Sequence, residues 1–358
     1  MATPTGTAAA LGKIAPAFFR DAIAPHLGAA RPEVLAGPRA GHDAAIVRIG
    51  AGRVMAVTTD PLSLVPAWGP ARSARIACHL IASDLWTTGI PPAYASVSFA
   101  LPPGLDDGTF GRYWRAMSDE WAALGVAVVT GHTGRYPGCD LSIVGACTLV
   151  GVGDEGRYVT PAMASPGDRV IVTKGCAIET TAVAAHLFPQ RMLRHTDEDG
   201  LARARAWADR VSVVADCRAA LRVGVRERGV TALHDATEGG VLGGLLELAQ
   251  GAGCDLRVER ARIPLAPEAE AACAAFGIDP WWALSQGTLV VAARADRAAA
   301  VLEAIREEGI EAAEVGEVVR GDGALWLTLP DGRVERIAAP QPDPYWAAYD
   351  RAVREAWT

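Results

Sequence analysis

Strand-type and helix-type patterns alternate along almost the whole chain, and this alternation limits the fold more than any other feature. In the first half, helix-type runs at 70–88 and 110–124 stand among strand-type runs at 44–49, 54–59, 93–100, 126–129 and 141–150. In the second half, helix-type runs at 178–187, 199–223, 238–251, 267–276 and 295–308 stand among strand-type runs at 169–173, 230–233, 254–259, 287–293 and 311–319. Mixed patterns in both halves exclude all-helical and all-strand folds. We therefore expect an α/β (α+β) fold.

The chain has 358 residues, which predicts two domains because one domain usually contains about 150 residues. The stretch 151–167 is rich in glycine and proline, which break regular structure, and we place the domain boundary there. This divides the chain into an N-terminal extension (1–40), two domains (41–155 and 166–340) and a C-terminal helix (341–358).

Charge and cysteine content exclude several kinds of partner. The formal net charge is −7 at pH 7, whereas non-specific binding to nucleic acids or anionic membranes needs a basic surface. The longest uncharged stretch, 85–105, contains four prolines, so we do not expect it to span a membrane. The start of the chain lacks a basic and apolar leader pattern, and the seven scattered cysteines include no C-x-x-C pair. These features predict a reduced, cytoplasmic protein.

Four aspartates lie at the edges of apolar runs, each among small residues: Asp43, Asp60, Asp84 and Asp235. Carboxylates held on rigid elements are the hard oxygen ligands that Mg²⁺ prefers. A single aspartate at a strand end more often caps the following turn or helix. Four in similar settings favour a site that binds a metal ion and a phosphate.

The segment His-Asp-Ala-Thr-Glu-Gly-Gly at 234–240 leads directly into a helix-type run. Free N–H groups at a helix start bind anions, and glycine lets a phosphate approach closely, so Thr237, Gly239 and Gly240 are candidate phosphate contacts. The alternative is structural, with Thr237 as the helix N-cap and the glycines needed for tight packing. The sequence contains neither a P-loop nor a Rossmann glycine motif.

Six segments together resemble the AIR synthase (PurM-like) superfamily. They are Gly-His-Asp-Ala-Ala (41–45), Thr-Thr-Asp-Pro-Leu (58–62), the run 82–92, Thr-Gly-His-Thr-Gly-Arg-Tyr (130–136), the run 166–175 and the segment 234–240. That superfamily includes aminoimidazole ribonucleotide synthetase, thiamine-monophosphate kinase, selenophosphate synthetase and the HypE-type hydrogenase-maturation dehydratases. The resemblance covers about residues 40–320 and is closest to the HypE type.

The resemblance implies a two-domain fold in which the sheet of the N-terminal domain pairs with a second subunit, giving a homodimer. ATP is expected in the cleft between the domains, with Mg²⁺ on the four aspartates. Gly131, His132 and Thr133 match positions that contact nucleotide in the family, and Gly239 and Gly240 match positions near its phosphate tail.

The chemistry implied by the resemblance is phosphoryl transfer from ATP to an oxygen of a small-molecule or carrier-borne substrate. In most branches the phosphate then leaves, and the substrate is dehydrated or cyclised. Two alternatives stay open, a simple small-molecule kinase like thiamine-monophosphate kinase and a nucleotide-binding accessory protein without catalysis.

Several positions depart from the HypE type. Those enzymes carry their substrate on a C-terminal cysteine, whereas this sequence ends Arg-Glu-Ala-Trp-Thr, so we do not expect dehydration of its own terminus. His42 stands where an acidic residue is common, His132 stands in place of an aspartate, and Glu238 replaces an arginine.

His42, His132 and Lys174 are the candidate catalytic residues. Histidine titrates near neutral pH, so either histidine could transfer a proton or contact a phosphate. Lys174, in Thr-Lys-Gly, could pair with a phosphate, and an exposed turn lysine is the alternative.

Overall fold

Two mixed β-sheets, one in each half of the chain, carry the strands of this protein. The computed structural model describes residues 11–39 and 41–358. Within them the α/β (α+β) fold expected from the sequence is confirmed.

The first sheet has six strands in the order β1-β2-β3-β6-β4-β5. They are β1 (Val34–Ala36), β2 (Ala45–Gly50), β3 (Arg53–Leu62), β4 (Tyr94–Leu101), β5 (Ala127–Arg135) and β6 (Gly145–Asp154). Only the pair β4–β5 is parallel. Side chains of β3 alternate, so Val54, Ala56 and Thr58 are buried while Met55 and Val57 lie on the other, less buried face.

The second sheet has seven strands in the order β13-β12-β9-β11-β7-β10-β8. They are β7 (Arg169–Thr173), β8 (Val230–Ala236), β9 (Asp255–Glu259), β10 (Thr288–Ala293), β11 (Ala312–Val319), β12 (Leu325–Thr328) and β13 (Val334–Ile337). Only β9 and β12 pair in parallel. β7, β8 and β10 are almost entirely buried, because helices cover both faces of this sheet.

The helices of the described residues follow the predicted pattern with one main exception. They are α1 (Pro16–Phe18), α2 (Gly69–Trp86), α3 (Asp107–Ala123), α4 (Ile178–Leu187), α5 (Pro189–Met192), α6 (Glu198–Arg205), α7 (Val214–Leu221), α8 (Gly240–Ala252), α9 (Pro267–Phe276), α10 (Ala298–Glu307) and α11 (Pro344–Arg354). The single helix predicted over 199–223 is wrong, since α6 and α7 are separate there. The carbonyls of Arg210 and Ser212 accept hydrogen bonds from the Lys174 ammonium, so this backbone leaves the helical ladder.

Helix α2 joins the two halves. Ala77 and Ile81 pack into the core of the first sheet, whereas Ile76 packs into the core of the second. Ser83, near the end of the same helix, accepts the N–H of Val213 at 3.1 Å. The end of α2 is therefore fixed between the two sheets. In the described part of the chain, no helix is long and apolar enough to cross a membrane.

Asp255 provides a test of how the second sheet is held together. Its Oδ1 accepts the N–H groups of Asp322, Gly323 and Ala324, and its Oδ2 accepts the indole N–H of Trp326 at 2.7 Å. Asp255→Ala should lower the free energy of unfolding by about 2–4 kcal/mol, because these donors lose their partner in a mostly buried setting. Urea denaturation measures this. Asp331→Ala, in the exposed β12–β13 turn, is the control and should leave the midpoint nearly unchanged.

Candidate active site

The four predicted aspartates converge where the two sheets meet. Asp43 precedes β2, Asp60 lies near the end of β3, Asp84 lies in the last turn of α2, and Asp235 lies in β8. Asp60 lies close enough to Asp84 to help raise the pKa of its carboxyl group. The hydroxyl of Thr58 lies 2.9 Å from the carbonyl of Asp43 and 3.3 Å from Oδ2 of Asp84. Two aspartates beside strands of the first sheet, one in helix α2 and one in a strand of the second sheet, thus form a single acidic cluster.

His234 connects this cluster to helix α8. Its Nδ1 donates to Oδ2 of Asp43 and its Nε2 donates to Oε2 of Glu247, both at 2.9 Å. Burial by itself would lower the pKa of His234, but the two carboxylates raise it well above its usual value. The ring is therefore an imidazolium with both N–H groups engaged. It holds Asp43 in place and supplies positive charge inside the site.

The remaining negative charge is not balanced. Burial and the neighbouring carboxylate of Asp43 raise the pKa of Asp235 to about 7. Burial, Asp235 and Asp60 likewise raise the pKa of Asp84 well above its usual range. Like charges in a poorly solvated site favour the protonated form, so the cluster keeps protons at neutral pH unless a cation replaces them.

The donor set fits a hard divalent cation. Oxygens of Asp43 and Asp235 and a nitrogen of His234 lie within 4.8 Å of one another. Because both ring nitrogens of His234 donate to carboxylates, the donors available to a cation are the carboxylate oxygens. Asp235 is 1% exposed; its Oδ2 accepts from Gln286, while its Oδ1 is buried without a hydrogen-bond partner in the described structure. A buried carboxylate oxygen of this kind is the type of donor that Mg²⁺ selects. Asp43, Asp60, Asp84 and Asp235 are the residues that would hold it.

The glycine turn before α8 presents one N–H to an anionic oxygen. Gly239 has φ +80° and donates its N–H to Oδ2 of Asp343 at 2.8 Å. Gly240 also has positive φ, and a Cβ there would lie 2.6 Å from the carbonyl oxygen of Trp281, so this glycine is needed for packing. The packing interpretation is therefore supported for Gly240, while the N–H of Gly239 is used by Asp343.

His42 precedes Asp43 of the cluster in sequence, and its protonation is fixed by its surroundings. Its Nε2 accepts the Nε–H of Arg39 at 2.7 Å, so its proton is on Nδ1, which is buried and has no partner among the described residues. Burial, together with Arg39, lowers the pKa of His42 to about 4. At neutral pH this ring is neutral and offers one free N–H donor.

Lys174 is not an exposed turn lysine. Its ammonium donates to Oδ2 of Asp216 at 2.9 Å and to the carbonyls of Ser212 and Arg210 at 2.7 and 3.4 Å. The side chain is 7% exposed, and burial lowers its pKa. All three N–H groups are used within the protein, which leaves none for the predicted phosphate contact.

Gly131, His132 and Thr133 lie in strand β5 rather than in the predicted loop. In register, Asp60 is opposite Cys147, Cys147 is opposite Val97, and Val97 is opposite Gly131. Three strand spacings place Gly131 about 14 Å from Asp60. His132, one residue further, points to the opposite face of the sheet, where its Nε2 lies 2.8 Å from the hydroxyl of Tyr136. One subunit does not bring these residues to the aspartates.

Comparison with known proteins agrees with this geometry. Residues 41–152 match the family model of the AIR synthase related protein N-terminal domain, and residues 165–326 match that of its C-terminal domain. The chain belongs to the AIR synthase-related family. Carbamoyl dehydratase HypE of Rhodobacter capsulatus is 31% identical over 274 residues, which cover 75% of this chain and 76% of that protein.

Solved structures of the same family share the fold. The hydrogenase maturation protein HypE in complex with ATP superposes with a TM-score of 0.66 at 22% identity, covering 92% of this chain and 94% of that one. ThiL complexed with AMPPCP and TMP superposes with a TM-score of 0.65 at 18% identity, covering 85% and 90%. The PurM-like two-domain fold expected from the sequence motifs is confirmed.

Sequence reasoning missed three charged residues that contact the site in this family member. Glu247 is the only charged residue in helix α8, which signals a buried partner for it. Asp343 follows two prolines near the C-terminal end and gave no signal. Lys13 is one of only two lysines among 34 basic residues, and that rarity was the available signal.

The protonated cluster predicts that cation binding releases protons. Titrating Mg²⁺ into the protein at pH 7 should release about one proton per ion, because the metal replaces the protons held by Asp84 and Asp235. Calorimetry in two buffers of different ionisation enthalpy measures this number. Asp235→Asn should reduce it, and Asp119→Asn, on the exposed face of α3, should not. Equal heats in both buffers would contradict the charge state described above.

Proposed function

We propose that this enzyme transfers the terminal phosphoryl group of ATP to a carbonyl-type oxygen of a small-molecule or carrier-borne substrate, and that the phosphate then leaves. The chain is an ATP-dependent enzyme, as its carbamoyl dehydratase relatives indicate. The observation that carries the proposal is the partly buried cluster of four aspartates, in which burial and mutual repulsion raise the pKa of Asp84 and Asp235. Phosphoryl transfer depends on positioning and on neutralising charge, and a cation on this cluster supplies that neutralisation.

The relatives favour the second, eliminating step. Their name describes dehydration of a carbamoyl group. For such a substrate, the amide oxygen attacks the γ-phosphorus, an O–P bond forms, and the bond to the leaving ADP breaks. The carbon–oxygen bond then breaks and inorganic phosphate leaves, while the amide nitrogen gives up its two protons to solvent and a carbon–nitrogen triple bond forms.

Residues around the cluster support this chemistry in different ways. The Gly239 N–H already donates to a carboxylate oxygen, and a phosphate oxygen is an acceptor of the same kind. His42 offers a buried N–H beside Asp43; because its pKa is about 4, we assign it hydrogen bonding rather than proton transfer. His234 keeps Asp43 oriented toward Asp235.

The sheet of the first domain supports a homodimer. Helices α2 and α3 cover one face, while Tyr94, Val128 and Val129 of β4 and β5 are 39–61% exposed, and β5 is an edge strand. An exposed apolar edge strand is a site for pairing with another chain. We propose that a second copy pairs there and that Gly131, His132 and Thr133 serve the nucleotide site of that copy. We also propose a cytoplasmic location, which seven free cysteines support.

Phosphorus NMR of ATP turnover tests the reaction. With carboxamides, thioamides and carbamoyl compounds as substrates, the expected products are ADP and inorganic phosphate in equal amounts. A stable phosphorylated product would instead assign the enzyme as a kinase. AMP formation would contradict phosphoryl transfer, and absence of any turnover with bound ATP would identify an accessory protein.

The matched variants are Asp60→Asn and Asp119→Asn. The first removes a proposed metal ligand and should lower ATP turnover by about 100-fold or more and remove the stabilisation of the protein by MgATP. The second changes a surface aspartate on α3 and should leave both unchanged. Normal turnover of Asp60→Asn would refute the metal-site assignment.

The dimer proposal predicts that Val129→Lys gives a monomer. Sedimentation velocity should show the loss of the dimer, and ATP turnover should fall, because the second copy no longer contributes residues 131–133. Proton release on Mg²⁺ binding should persist, since the four aspartates belong to one subunit. Val353→Lys changes an equally exposed valine on α11 and should preserve dimer and turnover. A fully active Val129→Lys monomer would contradict the proposed sharing of sites.

A further inference from the structure

Residues 11–15, here called the N-terminal strap, cross the candidate active site. The backbone N–H of Lys13 donates to Oε2 of Glu238 at 2.5 Å. The Lys13 ammonium donates to the hydroxyl of Thr237 at 3.2 Å and lies 3.8 Å from Oε1 of Glu247. The strap therefore contacts both the glycine turn and the carboxylate that binds His234.

Polar contacts, rather than apolar burial, hold the strap in place. Leu11 and Ile14, on either side of Lys13, are 60% and 53% exposed. Gly12 has φ +94°, and a Cβ there would lie 2.6 Å from the indole nitrogen of Trp346 and 2.9 Å from Glu238. This close approach fixes the position of the backbone at Gly12. Of the side chains of residues 11–15, that of Lys13 reaches into the site.

Lys13 reaches the acidic cluster through Glu247, whose other carboxylate oxygen binds His234, which in turn binds Asp43. The Lys13 side chain is 56% exposed, so part of it stays in solvent. Partial desolvation of the ammonium opposes its charged form, but Glu247, Asp43, Glu238 and Asp235 together raise its pKa above the usual value. The same cluster contains the buried, unpartnered Oδ1 of Asp235. A divalent cation bound to Asp43 and Asp235 would repel the ammonium and remove the negative charge that attracts it.

We propose that Lys13 is an internal counter-ion of the acidic cluster, and that a divalent cation bound there displaces it and releases the N-terminal strap. The inference rests on the metal site of the proposed function. Before nucleotide binds, the strap limits the negative charge of the site; after the cation binds, the strap opens the approach to the glycine turn.

The lysine content of the chain gives a direct test. Lys13 and Lys174 are the only lysines, and Lys174 is buried in its ion pair with Asp216. A protease that cleaves only after lysine should therefore cut the folded protein between Lys13 and Ile14 or not at all. We expect Mg²⁺ or Mn²⁺ alone to accelerate this cut about tenfold, as shown by intact mass, without any cut after Lys174.

Two variants test the contacts of the strap and the metal site independently. Glu247→Gln weakens the anchor of Lys13 and should raise the rate of cleavage without added cation; Glu355→Gln, at the exposed C-terminal end of α11, should not. Lys13→Ala should bind Mg²⁺ several-fold more tightly in calorimetry, because no ammonium competes. Arg20→Ala, further along the same exposed segment, is its control.

The outcomes distinguish the two proposals. If Mg²⁺ binds with proton release but neither cleavage nor the affinity of Lys13→Ala changes, the strap proposal is wrong and the metal site stands. If the cation slows cleavage, Lys13 closes over the metal and displacement is refuted. If no cation binds, the metal site of the proposed function fails, while faster cleavage of Glu247→Gln would still show the ion-paired strap.

Discussion

Repulsion among Asp43, Asp60, Asp84 and Asp235, in a site with little water, sets the chemistry of everything around them. Each additional ionised carboxylate costs more than the previous one, since the low local dielectric screens the charges poorly. The protein offsets this cost in three ways: protons remain on Asp84 and Asp235, His234 becomes an imidazolium, and the Lys13 ammonium approaches from the N-terminal strap. These partial counter-charges are the reason why we propose that a divalent cation binds there.

The cluster forms because helix α2 packs into the hydrophobic cores of both sheets. Ala77 and Ile81 bind it to the first sheet, Ile76 binds it to the second, and Ser83 is tied to Val213. Asp84 follows immediately, so the packing of α2 places its carboxylate beside Thr58 and Asp60. The packing of α2 therefore positions the cluster in the absence of ligand, and charged groups contribute most to phosphoryl transfer when they are positioned in advance.

Sequence reasoning could predict the aspartates but not the role of every residue around them. Asp43, Asp60 and Asp235 stand at recognisable strand ends, and strand ends of neighbouring elements meet, so the local pattern was sufficient. His132 was beyond that reasoning, because its distance from Asp60 depends on strand order β3-β6-β4-β5, which no local pattern contains. The break between α6 and α7 was equally hidden, since backbone carbonyls there accept hydrogen bonds from the Lys174 ammonium, 36 residues away from Arg210 in sequence.

The two lysines show why residue type alone does not assign function. Lys174 followed a strand and preceded a glycine, the setting expected for a phosphate contact, yet burial and Asp216 use all its donors. Lys13 lay in a small-residue segment without regular structure, yet its ammonium reaches the acidic cluster. Arginine serves at every other basic position, and its planar, branched head suits fixed surface pairs. A compact ammonium on a flexible stem suits an ion that enters a crowded carboxylate cluster and leaves it again, as we propose for Lys13.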